Sequence, residues 1–301
     1  MTAAAWTQER RRAVRLGRWS PLVYLAPTLL LVALIYVVPI IDNVRFSFAK
    51  VTLLRGIVAW TGFDNYVQLA TPDVLAALGR TLVWLGVSLP FALVLGTALA
   101  LLLDNPIPGR GILRTLIILP WVFPEAIFAV MWRLTLHPLL GLVNNALLGV
   151  GLIEHTINFL SVDSALYTVI GIRIWRSTPF VVLSVLAGLQ SIPEELMQAA
   201  HVDGASPWRR IWHIKLPLLK PVVWATAVIL SAWTLVIFDL IFILTEGGPD
   251  RATELLSILI YKSAFIRQDL GMASAASMIL VAIVGVFGYF YVRSASDEAA
   301  R

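Results

Sequence analysis

The chain lacks cysteine altogether and has only four histidines in 301 residues. Disulfides, thiolate metal sites and thiol chemistry are therefore excluded, and His137, His155, His201 and His213 are scattered without an HExxH pair. A GxxxxGK[ST] phosphate loop and a GxSxG nucleophile elbow are also missing, so the chain has none of the usual devices for holding ATP or for acyl transfer. No catalytic residue and no metal site is expected. Charge is scarce as well: 14% of residues are charged against 59% hydrophobic, and the mean hydropathy is +0.84. A chain of this composition cannot hide its apolar surface in one water-soluble core, so lipid must solvate much of it.

What is present is a series of long apolar runs. A bilayer core takes about 20 residues of helix, and six segments approach that length, at about 22–41, 82–103, 115–132, 166–189, 221–244 and 272–292. The expected fold is therefore an all-α polytopic membrane protein with six transmembrane helices over residues 22–293, between a basic tail, 1–21, and a short tail, 294–301. The arginines at 10, 11, 12, 15 and 18 followed by an apolar run could mark a signal peptide. However, the run from Leu22 to Ile41 is long enough to span and no small-residue cleavage site follows it, so the tail reads as a cytoplasmic anchor. Pro27, Pro90, Pro120, Pro124 and Pro179 fall inside spans, where neighbouring helices can satisfy the freed carbonyls, so kinked helices around a cavity are expected.

Basic residues set the orientation. With six spans and a cytoplasmic N-terminus, thirteen Lys and Arg lie inside and eight outside. A seventh span over the uncharged segment 134–153 would change this to ten inside and eleven outside, which removes the bias that the positive-inside rule demands. With Pro138, Gly141, Asn144, Asn145, Gly149 and Gly151, that segment suits a short helical scoop at the outer interface. Both termini are then cytoplasmic.

The residues 190–220 form the longest cytoplasmic loop, and within it QAAHVDGASPWRRIWHIKLP interrupts the apolar chain. Pro193 with Glu194 and Glu195 marks a helix start, Gly204 a helix stop, and Ser206 with Pro207 a second start near Trp208 that should end before Pro217. Two short helices joined by a glycine turn would project from the membrane. An amphipathic interfacial element with Trp and Arg at headgroup level is the alternative.

The spacing of Ala199, Ala200, Gly204, Ile214, Leu216 and Pro217 resembles the EAA signature of permease subunits in binding-protein-dependent ATP-binding-cassette importers. LQSIPEELMQAAHVDGA and FDLIFILTEGGPDRATELLSILIYKSAF resemble the sugar-permease branch of that family. The resemblance implies a type I importer permease whose loop carries coupling helices. Gln198, Ala199, Ala200, Asp203, Gly204, Trp208, Arg209, Ile214, Leu216 and Pro217 would dock the ATP-hydrolysing subunit, with Trp208 and Trp212 as aromatic anchors. Gln198 departs from the signature, which has an acidic residue there; Glu194 or Glu195 could supply that charge from one turn earlier. The resemblance further implies a second permease subunit, two ATP-binding subunits that hold ATP and Mg, a lipid-anchored extracytoplasmic sugar-binding protein, surrounding lipids and no nucleic acid. The chain itself would bind no cofactor. Similarity to sugar permeases of actinobacterial type makes a disaccharide such as trehalose the expected substrate, with maltose-type oligosaccharides and glycerol phosphate as alternatives. The segment TEGGPDRATE, 245–254, would sit near the binding-protein surface or be a simple turn.

Ionisable residues at membrane depth normally face a bundle interior or a wet cavity. Glu125, Arg173, Arg176 and Asp239 are such residues, and Arg173 and Arg176 share one helix face. Together with Asn144, Asn145, Trp175 and Trp233 they are the candidate substrate pathway, supplying hydrogen bonds for hydroxyls and flat rings for a sugar. A buried ion pair that only fixes helix packing is the bland alternative for the charges, and interfacial packing the alternative for the Trp residues. An ion-coupled secondary transporter, with Glu125 and Asp239 carrying protons, is the competing function.

Overall fold

Helix length is what the apolar runs dictate first, and the computed structural model describes residues 24–299, with side chains left out at 287 and 290–299. The expected basic tail, 1–21, lies outside the described residues, as do the side chains of the expected tail 294–301. In chain order the elements are α1 (Tyr24–Ser47), a hairpin of β1 (Ala49–Thr52) and β2 (Gly56–Trp60), α2 (Asp64–Gln68), α3 (Pro72–Asp104), α4 (Arg110–Val122) and α5 (Glu125–Thr135). They continue with α6 (Leu142–Gly149), α7 (Ala165–Gln190), α8 (Glu194–Val202), α9 (Pro207–Val236), α10 (Asp239–Thr245), α11 (Leu256–Ile266) and α12 (Leu270–Ala299).

Among the described residues α1, α3, α7 and α9 are long and apolar enough to cross a membrane, and α4 with α5 makes a fifth crossing if the pair, bent by 99°, counts as one. The sixth expected span falls on α12, whose apolar stretch Leu270–Val286 is shorter. The expected continuous spans 115–132 and 221–244 are each corrected to two helices, broken at Phe123–Pro124 and at Ile237–Phe238. The segment 134–153 carries only the eight-residue helix α6, about 12 Å at 1.5 Å per residue and far short of a crossing. The all-α expectation needs one amendment, the antiparallel hairpin β1–β2. Its alternating Val, Thr and Ile residues suit a strand, and Gly56 supplies the left-handed turn at φ +67°.

The helices α3 and α7 pack along each other, and they approach closely at Gly96. A Cβ at Gly96 would lie 2.5 Å from Val181 Cβ and 3.2 Å from the Thr178 carbonyl, so a small residue permits the approach, as at other membrane helix crossings. Gly188 makes the same allowance for α9, where Leu219 Cδ2 would be 2.9 Å from an added Cβ. Two of the four apolar cores lie around these crossings. One, with Ala92, Ala100, Val181, Val185 and Leu219, sits toward the 190–220 end, and the other, with Trp84, Phe128, Ile170, Leu240 and Ile258, toward the hairpin end.

The second short helix expected to stop before Pro217 does not stop. It runs on as α9, because residues Ile211–Lys215 widen into a π-turn, with the Leu216 N–H donating to the Ile211 carbonyl. Proline has no N–H and its ring clashes with the carbonyl four residues back. Opening the turn around His213 lets the helix pass Pro217. The same device, Ala33–Val37, precedes Pro39 in α1.

Gly96→Leu should lower the stability of the purified protein by about 1–3 kcal/mol through overpacking against Val181. Gly79→Leu, where an added Cβ meets nothing within 4 Å, should leave it nearly unchanged. Thermal unfolding of both variants in detergent distinguishes the two positions.

Candidate functional site

The two helix breaks face one another. At the first, Pro124 has no N–H to give to the Pro120 carbonyl, and Phe123 turns extended (φ −67°, ψ 139°). Arg176, on α7, replaces what is lost: its guanidinium donates to the Pro120 carbonyl and, at 2.8 Å, to the Phe123 carbonyl. Its Nε reaches Glu125 Oε2 at 3.2 Å, and the guanidinium carbon lies 5.0 Å from the centre of the Phe128 ring. Arg173, one turn away on the same face, places Nη1 3.9 Å from Glu125 Oε1 and donates from Nη2 to Thr234 Oγ1 at 3.2 Å. At the second break the freed carbonyls are taken by side chains of other helices, Thr234 by Trp84 Nε1 (3.0 Å) and Ile237 by Ser257 Oγ (2.7 Å).

Between the breaks lies a cavity of about 380 Å³. Of the expected pathway residues, Glu125, Arg173, Arg176, Trp233 and Asp239 line it together. The other three do not. Trp175 stacks on Phe128 (5.4 Å between ring centres) and meets Trp132 edge-on (5.5 Å). Asn144 is buried as a latch in the scoop: its Nδ2 donates to the Pro138 and Ile157 carbonyls (3.2 and 2.9 Å), and its Oδ1 accepts from the Ile157 N–H (2.9 Å). Asn145 is exposed on α6. The cavity also includes Trp121, Phe180 and Phe238, which were not expected. The signal for two of them was helical spacing, since Trp121 precedes Glu125 by four residues and Phe180 follows Arg176 by four. In the structure Trp121 and Phe180 are 6.0 Å apart, and Phe180 and Trp233 4.8 Å, so aromatic faces adjoin the charged belt.

At the far end of the chain's helices, α8 closes with Gly204 at φ +74°, the Ala205 N–H on the Ala200 carbonyl and the Gly204 N–H on the His201 carbonyl. This is the αL stop that glycine favours. Ser206 then caps α9, its Oγ accepting from the Arg209 N–H. Trp208 and Trp212 stand 72% and 63% exposed, and Leu196 and Val202 of α8 are exposed as well. Asp203 and Arg209 are exposed too, Ala200 is buried, and Ile214, Leu216 and Pro217 pass through the π-turn into α9. Gln198 Nε2 donates to Glu194 Oε1 at 3.4 Å. Lys215 Nζ pairs with Asp104 Oδ2 at 2.6 Å, tying the root of this lump to the end of α3.

The segment 245–254 at the hairpin end is a tight turn with Gly247 at φ +85° and a cis Gly248–Pro249 bond. Thr245 and Thr253 share a 2.6 Å hydroxyl contact across it. Buried Glu254 pairs with Lys262 at 2.7 Å, and Arg251 pairs with Asp73 at the start of α3. Among the described residues there is no group of His, Asp and Glu that could hold a metal ion.

The comparisons with known proteins agree on one family. The family described as binding-protein-dependent transport system inner membrane component matches residues 88–297. A probable ABC transporter permease of Brucella suis biovar 1 is 35% identical over 92% of this chain and 96% of its own length. The trehalose/maltose transport system permease of Thermococcus litoralis is 32% identical over 89% of this chain and 90% of its own. Among solved structures, a bacterial ABC transporter involved in import of the acidic polysaccharide alginate is similar at a TM-score of 0.81 and 26% identity, covering 94% of this chain and 99% of that one.

Glu125→Gln should destabilise the protein, because two buried guanidinium groups lose the carboxylate that both pair with. Breaking a fully buried pair costs about 3–5 kcal/mol. With the Glu125 side chain 26% exposed, about 1–3 kcal/mol is expected on the same scale. Combining Glu125→Gln with Arg173→Gln should recover part of that loss in thermal unfolding, whereas strictly additive losses would deny the shared network.

Proposed function

We propose that this chain, which belongs to the family of binding-protein-dependent transport system inner membrane components, forms half of the translocation pathway for a disaccharide, trehalose before maltose-type oligosaccharides or glycerol phosphate. At the coarser level it is a non-catalytic permease subunit of a sugar ABC importer in the inner membrane. A second permease subunit supplies the other half of the pathway, and two ATP-binding subunits, which hold ATP and Mg, dock on the loop 190–220. A lipid-anchored binding protein delivers sugar on the opposite side. The hairpin end then faces outward and both termini face the cytoplasm.

The observation that carries this function is the cavity at the junction of the two broken helices. A hydrophilic sugar at membrane depth needs hydrogen-bonding groups for its hydroxyls and flat apolar surfaces for its ring faces. Glu125, Arg173 and Asp239 offer the first, Trp121, Phe180 and Trp233 the second, in a space within the size range of small-molecule sites. The choice of trehalose is supported by the named substrates of the Thermococcus litoralis relative.

Energy comes from the partners. In this scheme ATP-driven closure of the ATP-binding subunits displaces α8 and the start of α9, and the helices around the cavity switch between outward and inward access. Exposed Trp208 and Trp212 are suited to be the anchors of that docking, since aromatic residues and Arg dominate interface energetics.

The test uses the complete complex in proteoliposomes with its binding protein, measuring ATP hydrolysis and uptake over trehalose, maltose, maltotriose and glycerol 3-phosphate. Trehalose is expected to stimulate both most strongly, while uptake that survives ATP depletion but follows an imposed proton gradient would assign the chain to ion-coupled transport. In the same assay Trp208→Ala with Arg209→Ala, or Gly204→Val, should abolish stimulated hydrolysis or release the ATP-binding subunits while thermal unfolding of the membrane part is unchanged. Full coupling in those variants refutes docking at this loop.

A further inference from the structure

One row of aromatic rings starts at the edge of the hairpin-end core, where Phe238 and Phe242 pack against it, and leaves that core with Tyr261 and Phe265. Phe238 and Phe242, four residues apart across the second break and α10, stack with their centres 4.8 Å apart. Tyr261 and Phe265, four apart on α11, continue the row: Tyr261 lies 4.8 Å from Phe238 and 5.0 Å from Phe242, and Phe265 is 5.2 Å further on. The spacing follows from helix geometry, since residues four apart share a face. One end of the row, Phe238, lines the cavity. The other leads to the hairpin end, where Asp269, four residues after Phe265, bridges to Thr52 of β1.

The rings do not close over one another as a core would. Phe238, Phe242 and Tyr261 are half-buried and Phe265 is 60% exposed. Tyr261 is half-buried, and its hydroxyl brings one hydrogen-bonding group to the middle of the row. A face that is aromatic, half-open and continuous with a polar cavity matches one kind of ligand best: a pyranose, with C–H faces that stack on rings and hydroxyls that need occasional donors and acceptors.

We infer that Phe265, Tyr261, Phe242 and Phe238 form an outer sugar-binding row along which a pyranose passes from the hairpin end to the cavity, with the Tyr261 hydroxyl meeting a sugar hydroxyl on the way. The row rests on the sugar-importer function proposed above. It adds subsites outside the charged belt.

The test is uptake of radiolabelled trehalose and maltose by the complete reconstituted complex, with the sugar-loaded binding protein below saturation. Tyr261→Leu with Phe265→Leu removes two rings while keeping apolar volume. The expected result is a fall in uptake of about two- to ten-fold per ring, the equivalent of 0.5–1.5 kcal/mol of lost stacking, with basal ATP hydrolysis and subunit composition unchanged. Phe265→Tyr should transport as the parent does, and Tyr261→Phe should lose only the smaller part due to the hydroxyl. The single variant Phe265→Leu, at the most exposed ring, serves where the double variant does not fold. Unchanged uptake in the leucine variants overturns the row while leaving the importer function intact. Loss of the second permease from both variants assigns the rings to packing between permeases and overturns it as well. If the parent complex transports neither sugar, the sugar function itself fails and the row fails with it.

Discussion

The guanidinium of Arg176 closes a gap that proline chemistry opens. Backbone carbonyls at membrane depth have no water to turn to, and Pro124 guarantees that the Pro120 carbonyl has no partner from its own helix. Arg176 donates to that carbonyl and to the Phe123 carbonyl while holding Glu125. The break therefore requires a buried cation, the cation requires Glu125, and Glu125 draws Arg173 and through it Thr234 on α9. A polar belt at the cavity is thus a consequence of backbone satisfaction before it is anything to do with a ligand. The second break is stitched without charge, by Trp84 and Ser257, and this leaves Asp239 free to face the cavity.

This ordering explains which features could be seen in the sequence. The apolar runs located the long helices, and Gly204, Ser206 and Pro207 located the turn between α8 and α9, because caps are written in single residues. Pro124 was visible as a disturbance, yet whether it kinks a helix or ends it depends on whether another helix brings a donor, and Arg176 lies 52 positions away. At Ile237 the local sequence Leu-Val-Ile-Phe carries no breaker. Only the tertiary bonds from Trp84 and Ser257 make an extended residue tolerable there. The charged residues that line the cavity are visible in the sequence because ionisable residues in apolar runs are conspicuous, whereas Trp121, Phe180 and Phe238 are unremarkable among eleven Trp and thirteen Phe. Asn144 and Asn145 looked alike in sequence, and only the packing of the scoop separates a buried latch from an exposed neighbour.

The helix α9 links the loop 190–220 to the cavity. It runs unbroken from Pro207, beside the exposed Trp208, to Val236 at the edge of the cavity, 30 residues and so about 45 Å. Had Pro217 ended it, the lump at 190–220 would hang on a flexible joint. The π-turn at Ile211–Lys215 keeps the rod continuous past the proline, and the Lys215–Asp104 pair fixes its root to α3. A displacement at Trp208 is then carried as rigid-body movement to Trp233 and to the second break, rather than being absorbed near the surface.

Broken helices meeting at a polar cavity are shared by many secondary transporters, so the breaks alone do not separate an ATP-driven permease from an ion-coupled one. The bonding of Glu125 does. A proton carrier must lose and regain its charge in every cycle, and at Glu125 each loss would leave Arg173 and Arg176 buried without their carboxylate, at the point where Arg176 holds the first break together. Protonation there would loosen the fold as often as it moved cargo. Asp239 is not so engaged, but it stands alone as a carboxylate on its side of the cavity. A charged belt tied into the first helix break, combined with a continuous helix ending in exposed tryptophans, is better matched to movement imposed from outside the membrane than to movement triggered by protons within it.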